Sequence, residues 1–387
     1  MDGIDELLTR GVKEVIVKDS LEKRLKSGKK LVVKLGIDPT GSELHLGHAV
    51  VLRKLRQFQD LGHKAVLVIG DFTVKIGDPS GRTHERRLLT DEQIKKNMNS
   101  YKVQAGKILD IDKAEFVYNS SWLEKLGQEG IFELASKATL AQIAEREEFR
   151  ERLKQKIDIP YLEMFYPLMQ GYDSVSLKAD VELGGSDQKF NLLMGRQIQK
   201  RYGQREQDIV IMKLLLGTDG GKMSKSADNY IPLTANPFDM YGKIMSIPDN
   251  LIPEYAELCT DLTPSNLEEK VSPLKQKKLL AKTIVKIYNG ERTAEEAESN
   301  FEKVFQKGKY AESLFIHKTI PAGAYKPVEI PISSGITSGT VQAKDLFTHG
   351  AVEINGQIIS PNAWSDKIVL NAGDIIKIGD KTIIKVK

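Results

Sequence analysis

A single cysteine, Cys259, in 387 residues leaves no partner for an intramolecular disulfide and too few thiolates for a cysteine-built zinc cage. No N-terminal apolar stretch leads to a small-residue cleavage site, and no run approaches the length of a membrane span. Neither secretion nor a membrane partner is therefore expected, and the composition suits a soluble protein of a reducing cytoplasm. A surplus of one charge is missing too. The 57 basic against 53 acidic residues give a net charge of +4, too slight at this length to announce a nucleic-acid binder, so any basic surface has to be local. What is present is an ordinary globular balance, 40% hydrophobic, in a chain long enough for about two or three domains.

The stretch Gly36-Ile37-Asp38-Pro39-Thr40-Gly41-Ser42-Glu43-Leu44-His45-Leu46-Gly47-His48 follows the run Leu31-Val32-Val33-Lys34-Leu35 and leads into apolar positions at helical spacing as far as Leu61. This reads as strand, tight turn and helix start. A helix start offers unpaired N–H groups and a partial positive charge, an anion site before any side chain is counted. His45 and His48 are three apart, so they share a face and can both donate to one phosphate. Gly47 lacks a Cβ and lets a flat or bulky ligand lie on the backbone.

Three further loops follow strands or strand-like runs. After Ala65-Val66-Leu67-Val68-Ile69, the loop Gly70 to Gly81 carries Asp78, which either opens a turn before Pro79 or faces a ligand. It continues into a basic segment with Arg82 and Arg86, placed to close over phosphates. After Ala179 to Leu183, the turn Gly184-Gly185-Ser186-Asp187-Gln188 repeats the opening architecture; Asp187 is either a helix cap or a carboxylate for a ribose hydroxyl. After Asp208 to Leu216 comes Lys222-Met223-Ser224-Lys225-Ser226, two lysines on a glycine-rich loop that can swing onto a polyphosphate. On a predicted helix, Tyr166, Gln170 and Asp173 are four and three apart and share one face, suited to substrate contact or to solvent.

The remainder is expected to support these loops. Residues 1 to about 30 read as two short helices, 90–109 as one polar helix, and 123–165 as a charged helical insertion with an amphipathic stripe. Residues 231–322 read as helices, with Lys275, Lys278, Lys282 and Lys286 at helical spacing as a solvated face or a phosphate-contact stripe. Pro321 to Ala324 reads as a linker. Beyond it, short β-branched runs with the hairpin dipeptides Asn355-Gly356 and Gly379-Asp380 predict a small β-rich domain. From Lys326 onward there are seven lysines, no arginine and six acids, so charge alone does not support RNA binding there.

Read together, Gly36 to His48, Ile69 to Gly81, Tyr166 to Asp173, Gly184 to Gln188 and Lys222 to Ser226 resemble, in order, the signatures of class I aminoacyl-tRNA synthetases, and nearly the whole chain resembles the bacterial tyrosyl-tRNA synthetase family. The resemblance implies an α/β fold: a Rossmann-like parallel-sheet catalytic domain (1–222, helical insertion about 123–165), the KMSKS signature loop (223–230), an all-α anticodon-recognition domain (231–322) and a small α+β S4-like RNA-binding domain (326–387). The partners it implies are tyrosine, tRNA(Tyr), ATP accompanied by Mg²⁺ without a dedicated protein metal cage, and a second copy in a homodimer. It assigns Thr40, His45, His48, Lys222, Lys225, Arg82 and Arg86 to the phosphates and pyrophosphate. It puts Asp38, Gly47, Gly185, Asp187, Met223 and Ser224 against ATP, and Gly36, Asp78, Tyr166, Gln170, Asp173 and Gln188 around tyrosine. Many members carry a tyrosine where this chain has Lys34, which leaves Asp173 as the reader of the substrate hydroxyl. Tryptophan specificity and a non-catalytic RNA-binding role are the competing readings; Asp173 and the tail weigh against the first, the intact motifs against the second.

Overall fold

The computed structural model describes residues 3–80, 89–223, 227–267, 272–306, 316–337, 339–348, 350–379 and 382–387. The chain forms two compact units, Met1–Glu298 and Ser299–Lys387. The first is built on a six-stranded sheet: β1 (Val12–Ile16), β2 (Val32–Ile37), β3 (Lys64–Ile69), β4 (Glu115–Tyr118), β5 (Val181–Gly185) and β6 (Asp208–Met212), in the order β1-β6-β5-β2-β3-β4. All neighbours are parallel except β1, which runs antiparallel to β6. The central strands β3, β5 and β6 are buried almost throughout, which is why their sequences are near-continuous apolar runs. Strand order reverses between β2 and β5. That is where an open α/β sheet leaves a crevice at the carboxyl ends of its strands.

Strand β1 was not expected. The two predicted N-terminal helices are present, at Gly3–Thr9 and Lys18–Lys26, but Val12-Lys13-Glu14-Val15-Ile16 lies between them as an edge strand. Its sequence lacks clean alternation because a register shift between Val12 and Glu14 interrupts the pairing with β6. The expected 90–109 helix is two, Asp91–Met98 and Tyr101–Ala105. Thr90 and Gln93 form a capping box at the start of the first. In the helical segment, Lys282 pairs with Glu298 at 2.9 Å and Lys286 with Glu291, so these two members of the lysine stripe are held by acids of the next helix.

The second unit has a five-stranded sheet ordered β10-β9-β12-β13-β7, from β7 (Ile316–Ile320), β9 (Val352–Ile354), β10 (Gln357–Ile358), β12 (Ile375–Ile378) and β13 (Thr382–Val386), with β8 (Gly323–Tyr325) pairing β11 (Ile368–Leu370). Asn355 and Gly356 both have positive φ, 49° and 85°, as a tight hairpin between β9 and β10 requires. The domain boundary differs from expectation. β7 pairs in parallel with β13, so residues 316–320 belong to this sheet rather than to the helical domain, and 321–322 form a turn between strands instead of a linker. Phe347, Ala343, Ile330, Ile376 and Ile384 make its core.

Candidate active site

The crevice at the reversal point is a cavity of about 300 Å³ lined from β2, β5 and the loops that follow them. Every predicted site residue among the described ones lies on its wall: Gly36, Asp38, Thr40, His45, Gly47, His48, Asp78, Tyr166, Gln170, Asp173, Gly185, Asp187, Gln188, Lys222 and Met223. Arg82, Arg86, Ser224 and Lys225 lie outside the described residues.

At the first signature, the helix Leu46–Asp60 starts one residue later than the histidine pair suggests, with His45 at the extended N-cap position. The His45 main-chain N–H donates to His48 Nδ1 at 3.2 Å, and the two rings lie with centroids 3.9 Å apart, tilted by 53°. Because Nδ1 of a neutral His48 is occupied as an acceptor, Nε2 carries its proton. Gly47 lies under them: a Cβ there would sit 3.0 Å from His45 Cε1 and 3.4 Å from Met223 Sδ. The segment after the second signature is stitched to this helix start. Leu46 N–H donates to Ile231 C=O at 3.0 Å, and Leu233 N–H to Leu44 C=O at 2.8 Å. Across the cavity, Lys222 Nζ is 3.6 Å from Asp187 Oδ2. Burial raises the Asp187 carboxyl above its ordinary value, and the Lys222 charge opposes that shift.

The other end of the cavity is drier and more tightly wired. Asp173 is 3% exposed. Trp122 Nε1 donates to its Oδ1 at 2.8 Å and Asn119 Nδ2 to its Oδ2 at 3.3 Å. Burial pushes its pKa up from 3.8 to about 6, against the pull of the Lys34 ammonium and of these two donors. Tyr166 donates its hydroxyl to Asp38 Oδ2 at 3.0 Å, and Thr73 donates to Asp38 Oδ1 at 2.8 Å. Burial, with Asp38 and Asp78 nearby, holds the Tyr166 phenol well above its usual range, so it stays a donor. Gly70 is obligatory there, since a Cβ would collide with Asp38 Oδ1 and Thr73 Oγ1.

Asp78 makes the turn its sequence context suggested and also lines the cavity. Its Oδ1 accepts from Ser80 N–H at 3.0 Å, the turn geometry, while its Oδ2 accepts from Gln188 Nε2 at 2.6 Å on the cavity wall. Behind it stands Arg146, which sequence reading passed over within the insertion. This guanidinium is 1% exposed, donates to Ser80 Oγ at 2.6 Å and to Asn191 Oδ1, and lies 3.4 Å from Asp78. The rings of Phe149 and Phe190 cover it. Asn119 lies on the cavity wall, while Trp122 and Arg146 stand behind it against Asp173 and Asp78; all three were missed because each comes from an element whose own sequence carries no ligand-loop signal.

The family model for class I tRNA synthetases of the W and Y type matches residues 26–306. The chain is 45% identical to tyrosine–tRNA ligase 2 of Clostridium acetobutylicum over all of its length and 99% of that protein, and 43% identical to the tyrosine–tRNA ligase of Aquifex aeolicus over 98% of its length and 97% of that protein. Among solved structures, the tyrosyl-tRNA synthetase of Archaeoglobus fulgidus complexed with L-tyrosine superposes with a TM-score of 0.62 at 24% identity, covering 77% of this chain and all of that one. The C-terminally truncated mitochondrial tyrosyl-tRNA synthetase of Aspergillus nidulans gives 0.66 at 22% identity, covering 78% of this chain and 94% of that one. These two likenesses bear on the fold alone.

Proposed function

The chain belongs to the class I tRNA synthetases of the tryptophan and tyrosine type, and on that premise we propose that it activates tyrosine with ATP and transfers it to tRNA(Tyr). In the first step a tyrosine carboxylate oxygen attacks the α-phosphorus of ATP, giving tyrosyl-adenylate and pyrophosphate. In the second, the adenylate's carbonyl carbon is attacked by a 3′-terminal ribose hydroxyl of the tRNA and AMP leaves. The first nucleophile is already an anion, so no general base is required. Catalysis rests on bringing two anions together and on stabilising charge that builds on the pyrophosphate.

The cavity's two unlike ends support this division of labour. At one, Thr40 and the Nε2–H of His48, with His45 beside it, meet the phosphates over Gly47, while Lys222 faces them from across the cavity. Lys225, Arg82 and Arg86 would complete the clamp. Asp38, Gly185, Asp187 and Met223 are the proposed nucleoside contacts, Ser224 would join them, and Mg²⁺ enters with ATP. At the other end Gly36, Asp78, Tyr166, Gln170 and Gln188 surround the amino-acid backbone. The single observation that carries the tyrosine reading is Asp173: a buried carboxylate with both oxygens steered by donors, offering its remaining lone pairs to a phenolic hydroxyl. Transfer of labelled tyrosine to tRNA(Tyr) tests the reading; tryptophan transfer in its place would overturn it.

The second unit, S4-like in its strand pattern, is proposed to assist tRNA binding. Phe132, Leu140, Leu153 and Tyr161 of the insertion region are exposed apolar side chains, which favours a homodimer through that region. Light scattering is then expected at about twice the 43.3 kDa chain mass. No helix among the described residues is long and apolar enough to cross a membrane, and we place the enzyme in the cytoplasm.

A further inference from the structure

Outside the cavity lining, beneath its tyrosine end, Lys34 of β2 and Glu182 of β5 are direct register partners. Their charged ends are 2.8 Å apart and their side chains are 0% and 1% exposed. The ammonium spends all three protons: on Glu182 Oε1, on Ser174 Oγ at 2.8 Å and on the Gln170 carbonyl at 3.0 Å. Glu182 in turn accepts from Gln170 Nε2 at 3.1 Å, from Ser174 Oγ at 3.2 Å and from Gln207 Nε2. A fully buried ion pair is a poor way to hold two strands together, because desolvation offsets most of its attraction and apolar residues of the same volume do as well or better. Its value has to lie in what it orients.

What it grips is the stretch of helix around Asp173. The Lys34 and Glu182 bonds to Gln170 and Ser174 fall on either side of Asp173 in the Tyr161–Leu177 helix. Gln170 lines the cavity, and the bond of its Nε2 to Glu182 fixes how its amide is presented there. Lys34 also supplies the strongest opposing influence to the burial of the Asp173 carboxyl. We propose that Lys34 and Glu182 are paired positioning residues for the amino-acid substrate, gripping the helix at Gln170 and Ser174 on either side of Asp173 and so setting the Gln170 amide and the Asp173 carboxylate toward it.

The inference rests on the tyrosine reading above. Around Asp173 the other charged or titratable groups are Glu182 from β5, Tyr166 on its own helix, Asp38, Asp78 and Asp187 on the cavity loops, and His45, His48, Lys213 and Lys222 further along the wall. Among the described residues, Lys34 is the positively charged side chain that bonds Gln170 and Ser174.

The test is the double variant Lys34→Met/Glu182→Gln, which removes both charges of the pair together, alongside the milder Ser174→Ala. Both are assayed by ATP–pyrophosphate exchange against pH. The double variant is expected to raise the KM for tyrosine about tenfold, the worth of one positioning hydrogen bond, with the KM for ATP within about twofold. Loss of the Lys34 charge raises the Asp173 pKa, so the acid limb of kcat/KM for tyrosine moves to higher pH. Ser174→Ala is expected to shift both quantities the same way by less. If wild-type enzyme exchanges with tyrosine but both variants keep its tyrosine KM and its acid limb, the inference fails alone. If wild type itself shows no exchange with tyrosine, the functional reading fails first.

Discussion

Replacing Asp173 by Asn separates what this carboxylate costs the fold from what it does for the substrate. Its pKa is raised from 3.8 to about 6, chiefly by burial. Between those two values the folded chain binds a proton that the unfolded chain has released, so stability falls as pH rises through that window and stays reduced above it. A shift of about two units amounts to about 3 kcal/mol lost between pH 4 and pH 6.5. Asn carries no charge and has no such slope. It keeps one acceptor for Trp122 or Asn119 but turns an N–H₂ toward the other, costing about 1–2 kcal/mol. Urea unfolding at pH 4.5 and pH 8 measures both parts. Asp173→Asn should be the less stable protein near pH 4.5, and its stability relative to wild type should rise by about 2–3 kcal/mol by pH 8. The same substitution should erode discrimination between tyrosine and phenylalanine by about tenfold or more, because phenylalanine no longer leaves a buried anionic acceptor unpaired. A stability difference that does not change with pH would refute the reasoning about Asp173.

Gly47→Ala puts a Cβ 3.0 Å from His45 Cε1, so the ring has to give by a few tenths of an ångström. Varied-ATP exchange should show the ATP KM up by about tenfold, with tyrosine binding nearly unchanged; an equal loss for both substrates would indicate general disruption instead. Arg146→Met keeps the stem between Phe149 and Phe190 but removes the donor behind Asp78, Ser80 and Asn191. It should cost about 2–3 kcal/mol of stability and raise the tyrosine KM more than the ATP KM, read from denaturation and exchange kinetics.

The parallel sheet was legible because strands buried on both faces are written as continuous apolar runs, and the loops after β2 and β5 because glycines, a cap and a carboxylate have to follow such strands where ligands bind. Helical spacing was enough to bring Tyr166, Gln170 and Asp173 to one wall. Long-range partners were not legible. Nothing local in Glu145-Arg146-Glu147 announces a guanidinium that travels 68 residues back to Asp78, and Lys34 in an apolar run gives no sign of the Glu182 carboxylate beside it until strand order is known. The β1 edge strand and the reach of β7 into the C-terminal sheet escaped for the same reason: five-residue strands are defined by what they pair with, not by their own pattern.

The measurement that bears most directly on the account is ATP–pyrophosphate exchange by the purified chain with tyrosine, tryptophan and phenylalanine offered separately. Rapid exchange with tyrosine and none with tryptophan is the predicted result. Exchange with tryptophan in place of tyrosine, or none with any amino acid, would contradict it.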